Sequence, residues 1–559
     1  MSGERGVAEA ETFDFIVIGA GSAGCVLANR LTEDGKHRVL LLEAGGQDKS
    51  TLIHMPAGVG NLIKAKGPFN WGFWTEAEPN LDGRKLWWPR GKGWGGSSSI
   101  NGMVYIRGHA RDYDQWRQMG LTGWSYADVL PYFRRSETLE TGADPYHGGD
   151  GPLHVTPAAS KNPIYSGVIE AGRQAGYSTT ADFNGHQQEG FGPYQLTIKN
   201  GKRWSAAAAY LKPALTRANL QAEVDARTSR VLVENGRAVG VEYVQGGRTV
   251  VARAAREVIV SAGAVQSPHI LQLSGIGNPE HLREHGIAVT HTLPGVGENL
   301  QDHLDVILSW ECPLPITAYS ITKGLRKLAI GVNYMLRNQG PGRENMLESG
   351  AFIRSRPELD RPDLQIHTVL AIMKDHGNTV IAKDGFSLHV CQLRPESRGR
   401  VSLRSADPAD DPAIFANYLS AEEDRRALRE GVKIARRVAA QPALDPYRTA
   451  EFQPGAEVQT DSEIDAWIRR ASETIYHPVG TCRMGVAGDA NAVVDAELRV
   501  MGLQGLRVVD ASVMPTLVSG NTNAPTIMVA EKAADLILGR SAPAAEEVPV
   551  YEPEMGRAA

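Results

Sequence analysis

The pattern of apolar and polar positions near the N-terminus predicts strands alternating with helices. Residues 13–18, FDFIVI, form a near-continuous apolar run of strand length, followed by GAGSAG and then by CVLANRL, whose apolar spacing suits a helix. HRVLLLEAG at 37–45 predicts a second buried strand. Strand, tight turn, helix and strand are the parts of a Rossmann-like α/β unit.

A different pattern later in the chain predicts a second domain. DLQIHTVLAIM at 363–373 and FSLHVCQLRP at 386–395 alternate in the manner of antiparallel strands. We therefore expect an α/β protein (α+β overall) with a second domain built on an antiparallel sheet with helices. The expected boundaries are 1–150, 216–303 and 461–540 for the nucleotide domain, 151–215 and 304–460 for the substrate domain, and 541–559 for an extended tail.

Two helices stand out by their composition. APTIMVAEKAADLILG predicts an amphipathic helix with Pro525 in its first turn and Gly539 past its end. SITKGLRKLAIGVNYMLRNQGPG at 320–342 predicts an apolar-faced helix that could be core, a lid or a membrane-touching element. Its few basic residues favour core or lid.

Composition excludes several classes of function. The formal net charge of -5 over 559 residues gives no field that would favour nucleic acid as a partner. Four cysteines lie far apart without zinc-type spacing, so we expect neither disulfides nor a metal site. The N-terminus has no signal-peptide pattern, and no apolar run approaches the roughly 20 residues of a membrane span. We therefore expect a cytoplasmic protein, with peripheral membrane contact left open.

The glycine-rich turn predicts a dinucleotide site. Gly19, Gly21 and Gly24 fit the G-x-G-x-x-G fingerprint, in which backbone approaches a pyrophosphate at a helix N-terminus. Glu43 ends the second strand about 20 residues later, where a carboxylate can accept from a ribose 2′-OH. The acid favours an unphosphorylated ribose, and NAD and FAD both remain open on this evidence.

Two longer segments carry a family resemblance. RGKGWGGSSSINGMVYIRGHARDYDQW at 90–116 and GAVQSPHILQLSGIG at 263–277 resemble the two signatures of the glucose-methanol-choline (GMC) oxidoreductases. GVGENLQDH at 295–303, YHPVGTCRMG at 476–485 and residues 508–537 also match blocks of this family in order. The resemblance covers most of the chain and implies FAD as the cofactor.

The resemblance also implies which residues bind FAD. In some members of the family, a histidine in the first signature is covalently bonded to FAD. The corresponding position here is Ile100, which implies that the flavin is bound non-covalently. The implied cofactor-binding residues are Gly19, Gly21, Ser22, Ala23, Gly24, Glu43, Ala44, Trp71, Gly95, Gly96, Ser97, Asn101, Gly102, Met103, Val104, Thr228, Asp510, Ala511, Asn523 and Pro525.

His477 is the candidate base. From its local context it could be a structural group, a metal ligand together with Cys482, or a base. A metal is disfavoured because two ligands with no further Cys or His nearby would leave its coordination sphere unfilled. A base is needed because hydride leaves an alcohol carbon more readily as the hydroxyl proton departs. The resemblance implies that His477 is this base and that Asn521 is its partner at the substrate oxygen.

These inferences predict oxidation of a primary alcohol to an aldehyde, with electrons passed to a quinone or another non-nicotinamide acceptor. A choline dehydrogenase and an O2-using alcohol oxidase are alternatives, and a cyanohydrin lyase on the same scaffold is a more distant one. Tryptophans 71, 74, 87, 88 and 94 could line a cage for a cationic substrate. Core packing is the commoner role of tryptophan, and the sequence places no carboxylate opposite these rings.

Overall fold

The computed structural model describes residues 11–374, 379 and 381–553. Over these residues the α-helices are Ser22–Thr32, Thr51–His54, Val59–Leu62, Ala110–Gln118, Tyr126–Ser136, Pro163–Gln174, Lys212–Ala214, Gly263–Leu273, Pro279–Glu284, Ala318–Thr322, Leu325–Arg337, Glu422–Ala439, Asp461–Ala471 and Asn523–Leu538. Outside the two main sheets, a four-stranded sheet has the spatial order Val104–Tyr105, Gln195–Leu196, Leu153–Pro157 and Glu137–Leu139. Two-stranded pairs join Phe73–Trp74 with Trp87–Trp88, Ile198–Lys199 with Lys202–Arg203, Ile276–Gly277 with His291–Thr292, and Arg400–Ser402 with Ala413–Phe415.

The first sheet is the predicted Rossmann-like unit. Thr12–Ile18 lies between Val39–Leu42 and Arg248–Val260 and pairs in parallel with both. Its residues from Phe15 to Ile18 are apolar and buried, as expected of a strand that has a neighbour on each side and is shielded from water on both faces. In spatial order its strands are Leu220–Glu223, Val39–Leu42, Thr12–Ile18, Arg248–Val260, Arg237–Gln245 and Ala226–Glu234, with Leu506–Val508 also on Arg248–Val260.

The second sheet is the predicted antiparallel one. Leu364–Val369 and Gly385–Gln392 pair in antiparallel register, with His367 opposite His389. The helix Glu422–Ala439 packs on this sheet so closely that a Cβ at Gly431 would lie 2.6 Å from Val390 Cγ1. In spatial order the strands are Glu451–Gln453, Leu304–Glu311, Gly385–Gln392, Leu364–Val369, Ser349–Ile353 and Gly190–Pro193, with Glu473–Thr474 also on Leu304–Glu311.

The two sheets distribute along the chain much as the predicted domains do. The strands of the first sheet come from the segments assigned to the nucleotide domain, and most strands of the second come from those assigned to the substrate domain. Glu473–Thr474 differs, because it lies beyond residue 461 yet pairs with the second sheet. The exact boundaries stay a prediction.

The amphipathic character predicted for the helix at 523–538 is wrong. Its residues are buried on nearly every face, including Glu531, Lys532 and Asp535. Buried charges are tolerated there because Arg30 and Arg135 both form ion pairs with Glu531.

The core interpretation of the segment 320–342 is also wrong. It forms two helices, Ala318–Thr322 and Leu325–Arg337, and in the second of these the apolar residues face solvent. No helix in the described ranges has both the length and the apolar character to cross a bilayer. The expected cytoplasmic location stays a prediction.

The C-terminal tail runs extended over the surface, as far as the structure describes it. Tyr146 donates from its hydroxyl to the carbonyl of Pro549, and Tyr551 N donates to the carbonyl of His186. Val548 packs against the apolar core that contains the strands of the first sheet. The expected extended arm is therefore held in place through residue 551.

Candidate active site

A cavity of about 510 Å³ lies where the two sheets meet. Its wall combines residues of the glycine turn with residues of the antiparallel sheet. The predicted site residues that line it are Gly19, Gly21, Ser22, Ala23, Glu43, Ala44, Trp71, Gly96, Ser97, Asn101, Gly102, Met103, Val104, Thr228, His477, Asp510, Ala511, Asn521 and Asn523. The structure thus brings together most of a set that spans 500 positions of sequence.

Three predicted residues lie behind the wall rather than on it, in the structure as described: Gly24, Gly95 and Pro525. A Cβ at Gly24 would lie 1.8 Å from the Gly19 carbonyl oxygen, so this glycine permits the helix to pack against the turn. Gly95 donates its N–H to the Ala20 carbonyl at 2.7 Å and has a φ of +86°. These positions shape the site without facing its interior.

Three helices begin at the cavity. Ser22–Thr32, Gly263–Leu273 and Asn523–Leu538 each contribute first-turn residues to its wall. Among the described residues, none of the three helices is capped by the side chain of its own N-cap residue or has an acid in its first turn. Asp510 accepts the N–H of Gly263, whereas the N-termini of Ser22–Thr32 and Asn523–Leu538 present N–H groups and a partial positive charge that fit the phosphates of a flavin dinucleotide.

Glu43 is built into the turn as well as facing the cavity. Its carboxylate accepts backbone N–H bonds from Ala20 at 2.9 Å, Gly45 at 2.8 Å and Gly93 at 2.9 Å. Burial raises the pKa of Glu43, while these three hydrogen bonds oppose that shift. With three of its roughly four acceptor positions in use, the group retains one for a ribose hydroxyl.

Arg203 fixes the loop that carries Asn101. Its guanidinium is buried and donates to the Asn101 carbonyl at 2.6 Å and to the Asn101 side chain at 2.8 Å. Burial lowers the pKa of Arg203 to about 9. Ile100, next in the loop, packs with Ile53 and Leu62, so an apolar side chain fills the place where a covalent link would require histidine.

Asp510 and Thr228 complete the nucleotide side. Asp510 accepts from Ser267 Oγ at 2.5 Å and from Gly263 N at 2.8 Å, which ties the last signature block to the start of a helix. Ser22 Oγ donates to Asn523 Oδ1 at 2.8 Å and joins two of the helix N-termini. Thr228 lines the cavity, and its Oγ1 is buried and has no hydrogen-bond partner within the described chain. An orphan hydroxyl of this kind fits a polar ligand.

His477 and Asn521 meet at the other end of the cavity. Asn521 Nδ2 lies 3.1 Å from His477 Nε2, and Gln365 Nε2 donates to Asn521 Oδ1 at 3.2 Å, which turns the amide N–H₂ toward the imidazole. Asp302 accepts the backbone N–H of His477 at 2.7 Å. An alcohol oxygen placed beside this pair would reach both a base and a hydrogen-bond donor.

His303 determines which nitrogen of His477 carries the proton. His303 Nε2 lies 3.0 Å from the carbonyl oxygen of Leu393, which can only accept. Neutral His303 therefore presents a bare Nδ1, and His477 Nδ1, 3.0 Å away, must be the donor. Burial lowers the pKa of His303 to about 4 and, together with His303, His367 and Arg90, holds the pKa of His477 well below 6.5. His477 Nε2 consequently carries no proton, and its lone pair accepts from Asn521 Nδ2 at the cavity wall.

The sequence analysis missed the acidic part of the wall. Asp305 lies in the strand Leu304–Glu311, is buried, and contacts His389 Nδ1 at 2.8 Å through Oδ2. Its Oδ1 has no partner within the described chain. Glu473, directly opposite it on the neighbouring strand, also lines the cavity. The available signal was a lone acid in the apolar run LDVILSW directly after GVGENLQDH.

A row of side chains joins this acidic patch to the base. His389, which contacts Asp305, stands opposite His367 on the paired strand. His367 in turn lies near Asn521 and lines the same cavity, and burial lowers the pKa of His367 to about 3. One wall of the cavity thus carries a carboxylate at one end and the His477–Asn521 pair at the other.

Only one of the five tryptophans considered for a cation cage lines the cavity, as far as the structure describes it. Trp71 stacks on Phe73 and already has Lys92 Nζ 4.7 Å and Arg227 Cζ 5.3 Å from its ring centroid. Trp87, Trp88 and Trp94 are buried. All four cysteines, Cys25, Cys312, Cys391 and Cys482, are free and buried. No cluster of metal-ligating residues occurs in the described ranges.

Comparison with known proteins agrees with this geometry. The profiles of the N- and C-terminal parts of GMC oxidoreductases match residues 13–305 and 395–530. The mitochondrial choline dehydrogenase of Mus musculus is 51% identical over 552 residues, which cover 97% of this chain and 92% of the relative. The oxygen-dependent choline dehydrogenase of Brucella ovis is 50% identical over 529 residues, covering 94% and 96%.

Solved structures show the same fold. Pyridoxine 4-oxidase from Mesorbium loti superposes with a TM-score of 0.86 at 32% identity, over 94% of this chain and 99% of the other. A formate oxidase from Aspergillus oryzae RIB40 gives a TM-score of 0.89 at 27% identity, over 95% and 99%. The chain belongs to the GMC oxidoreductase family of FAD-dependent enzymes that act on CH–OH donors.

Proposed function

We propose that this enzyme oxidises choline, a primary alcohol that carries a trimethylammonium group, to the corresponding aldehyde. The observation that carries the proposal is the buried carboxylate of Asp305, with one oxygen unpartnered in the described chain, on the same wall as His477 and Asn521. A cation there would satisfy a buried charge that is otherwise costly. The names of the two choline dehydrogenase relatives support the same substrate.

In the proposed reaction the alcohol oxygen lies within reach of His477 Nε2 and Asn521 Nδ2. His477 takes the hydroxyl proton at Nε2, and Asn521 donates a hydrogen bond to the oxygen as negative charge develops there. FAD, when bound, supplies the hydride acceptor. Asp305 anchors the ammonium end and so orients the carbinol carbon.

The residues proposed to hold FAD are those that line the nucleotide side of the cavity. The N-termini of Ser22–Thr32 and Asn523–Leu538, which begin at the cavity, would hold the phosphates and the ring, and Glu43 would accept from the ribose. Thr228 offers its orphan hydroxyl. Because Ile100 provides no attachment point, the flavin is non-covalent. Electrons then pass to a quinone or another non-nicotinamide acceptor, the kind of acceptor that the sequence analysis predicts.

Anaerobic stopped-flow reduction of the bound flavin tests the proposal. The two substrates are choline and 3,3-dimethylbutan-1-ol, which replaces the charged nitrogen by carbon at nearly constant shape. We expect the ratio of reduction rate to dissociation constant to be at least about tenfold higher for choline, since a desolvated charge contact contributes more than about 1.4 kcal/mol. Equal values for the two alcohols would exclude choline recognition, while reduction by neither would exclude alcohol oxidation.

A further inference from the structure

The helix Leu325–Arg337 exposes a continuous apolar face, which we call the 325–337 face. Five large apolar residues are exposed: Leu325 is 84% exposed, Leu328 65%, Val332 40%, Met335 63% and Leu336 79%. Their spacing of three, four, three and one residues places them on one side of an α-helix. A contiguous patch of this kind on a soluble surface marks an interaction site.

The helix is anchored to the protein by its opposite side. Tyr334 is buried and donates from its hydroxyl to the carbonyl of His54 at 3.0 Å. Asn338, at the helix C-terminus, donates to the carbonyl of Asn200 at 2.6 Å. The apolar residues are therefore exposed on a docked helix whose inner side is fixed.

The same segment is basic. Residues 318–343 contain Lys323, Arg326, Lys327, Arg337 and Arg343 and no aspartate or glutamate, in a chain whose formal net charge is -5. Across the described ranges, no carboxylate lies within 4.0 Å of the charged nitrogens of these five residues. Arg326 donates only to the carbonyl of Ser320. The segment that carries the apolar face thus also carries unpaired positive charge, with Arg326 and Arg337 on the flank of the helix and Lys327 on the side of Tyr334.

We propose that the 325–337 face binds the surface of an anionic lipid bilayer. Apolar side chains of an interfacial helix insert among the upper acyl chains, while basic residues meet anionic headgroups. Each basic residue near the surface raises the partition coefficient roughly fivefold. A second copy of this chain is disfavoured as occupant because facing copies would juxtapose two segments of the same positive charge. The apolar content and the absence of acidic residues together match a lipid surface.

The bound bilayer would lie beside the cavity wall. The helix leads through Pro341–Arg343 into Asn345, Met346 and Leu347, which line the cavity. Pro341–Arg343 also contacts Pro56–Gly58, next to the cavity residues Val59 and Gly60. A quinone dissolved in the bilayer would therefore arrive next to the active site. That consequence rests on the proposed function, whereas lipid binding does not.

Co-sedimentation of the FAD-loaded protein with vesicles tests the proposal without turnover. We expect binding to vesicles of phosphatidylcholine mixed with phosphatidylglycerol, weak binding to phosphatidylcholine alone, and a loss of binding as salt screens the charges. Leu328→Asp with Met335→Asp, or Arg326→Glu with Lys327→Glu, should lower the partition coefficient more than about tenfold. All four residues are exposed, so the variants should fold.

Matched control variants distinguish a loss of the 325–337 face from the effect of adding negative charge anywhere on the protein surface. Val244→Asp changes an apolar residue of similar exposure, 37% against 40% for Val332, and Arg248→Glu with Arg283→Glu reverses two exposed charges elsewhere. These variants should bind vesicles like the wild type. Equal binding of wild type and 325–337 variants, or no binding to anionic vesicles, would overturn the proposal. So would a wild-type dimer in light scattering that becomes monomeric in Leu328→Asp with Met335→Asp, because the face would then join two copies.

Discussion

His303 and His477 are joined nitrogen to nitrogen: their Nδ1 atoms lie 3.0 Å apart, and the other nitrogen of His303 is committed to the Leu393 carbonyl. This chain of hydrogen bonds holds His477 in the tautomer whose Nε2 can take a proton. His303 is therefore a positioning residue that acts through His477, comparable to the groups that orient a catalytic imidazole in other enzymes.

Replacing His303 should reveal this positioning. His303→Leu removes the acceptor, so we expect flavin reduction by choline to slow about 10²-fold, comparable to impaired general-base catalysis. His303→Asn places an amide oxygen near the former Nδ1 and should recover part of the loss. Stopped-flow absorbance at saturating choline measures both. A packing role alone would leave the two variants equally slow at equal melting temperature.

The environment of His477 predicts the pH dependence of flavin reduction. Because burial and neighbouring groups hold the pKa of His477 well below 6.5, the imidazole is neutral throughout the neutral range. The active form is the neutral base, so the rate at saturating choline should stay constant as pH falls from about 8 to about 6.5 and decline only below that. A midpoint at or above about 6.5, assigned to this step by its disappearance in His477→Ala, would contradict the lowered pKa.

Removing the Glu43 carboxylate should affect both FAD retention and folding. Glu43→Ala leaves three backbone N–H groups without acceptors, and we expect the unfolding free energy to fall by roughly 2 kcal/mol or more. FAD content after dialysis should fall as well. Glu43→Gln keeps one acceptor oxygen, so its stability and FAD content should lie between those of the wild type and Glu43→Ala. Unchanged FAD content in Glu43→Ala at a temperature where it remains folded would remove the ribose contact from the account.

Asp305 should determine the preference for a cationic alcohol. Asp305→Asn preserves size and removes charge, so the advantage of choline over 3,3-dimethylbutan-1-ol should fall to within about threefold. Burial raises the pKa of Asp305, and a bound cation favours the ionised form. Choline affinity should therefore weaken as pH falls through that pKa, while affinity for the neutral alcohol should not change. A preference for choline that survives in Asp305→Asn would assign recognition to another group, with Glu473 the next to test.

Local sequence was sufficient to predict the strands whose pattern of buried side chains is regular. FDFIVI became Thr12–Ile18, and the two alternating segments became the paired strands Leu364–Val369 and Gly385–Gln392. The position of the helix at 523–538 was predicted correctly, but its complete burial was not. Its charged residue Glu531 can be buried because it pairs with Arg30 and Arg135, which are distant in sequence. Long-range pairing of this kind leaves no local pattern.

The site was predictable where a motif specifies it. His477 and Asn521, 44 positions apart, came from family resemblance, and the structure places their side chains 3.1 Å apart. His303 ends the block GVGENLQDH, but its contact with His477, 174 positions away, was not predicted. Asp305 and His389 lie outside the quoted blocks, and their contact depends on strand pairing across 84 positions. The exposure of Leu325–Arg337 was misjudged because an apolar stripe alone cannot distinguish a core-facing helix from one that faces solvent or lipid.

The central claim is that His477 is the base, and the rate of flavin reduction tests it most directly. FAD-loaded His477→Ala and His367→Ala are mixed anaerobically with choline, since His367 is the other imidazole near Asn521. We predict that His477→Ala retains FAD but is reduced at least about 10²-fold more slowly than the wild type, with a smaller loss in His367→Ala. Reduction of His477→Ala at the wild-type rate, or a larger loss in His367→Ala, would contradict the assignment.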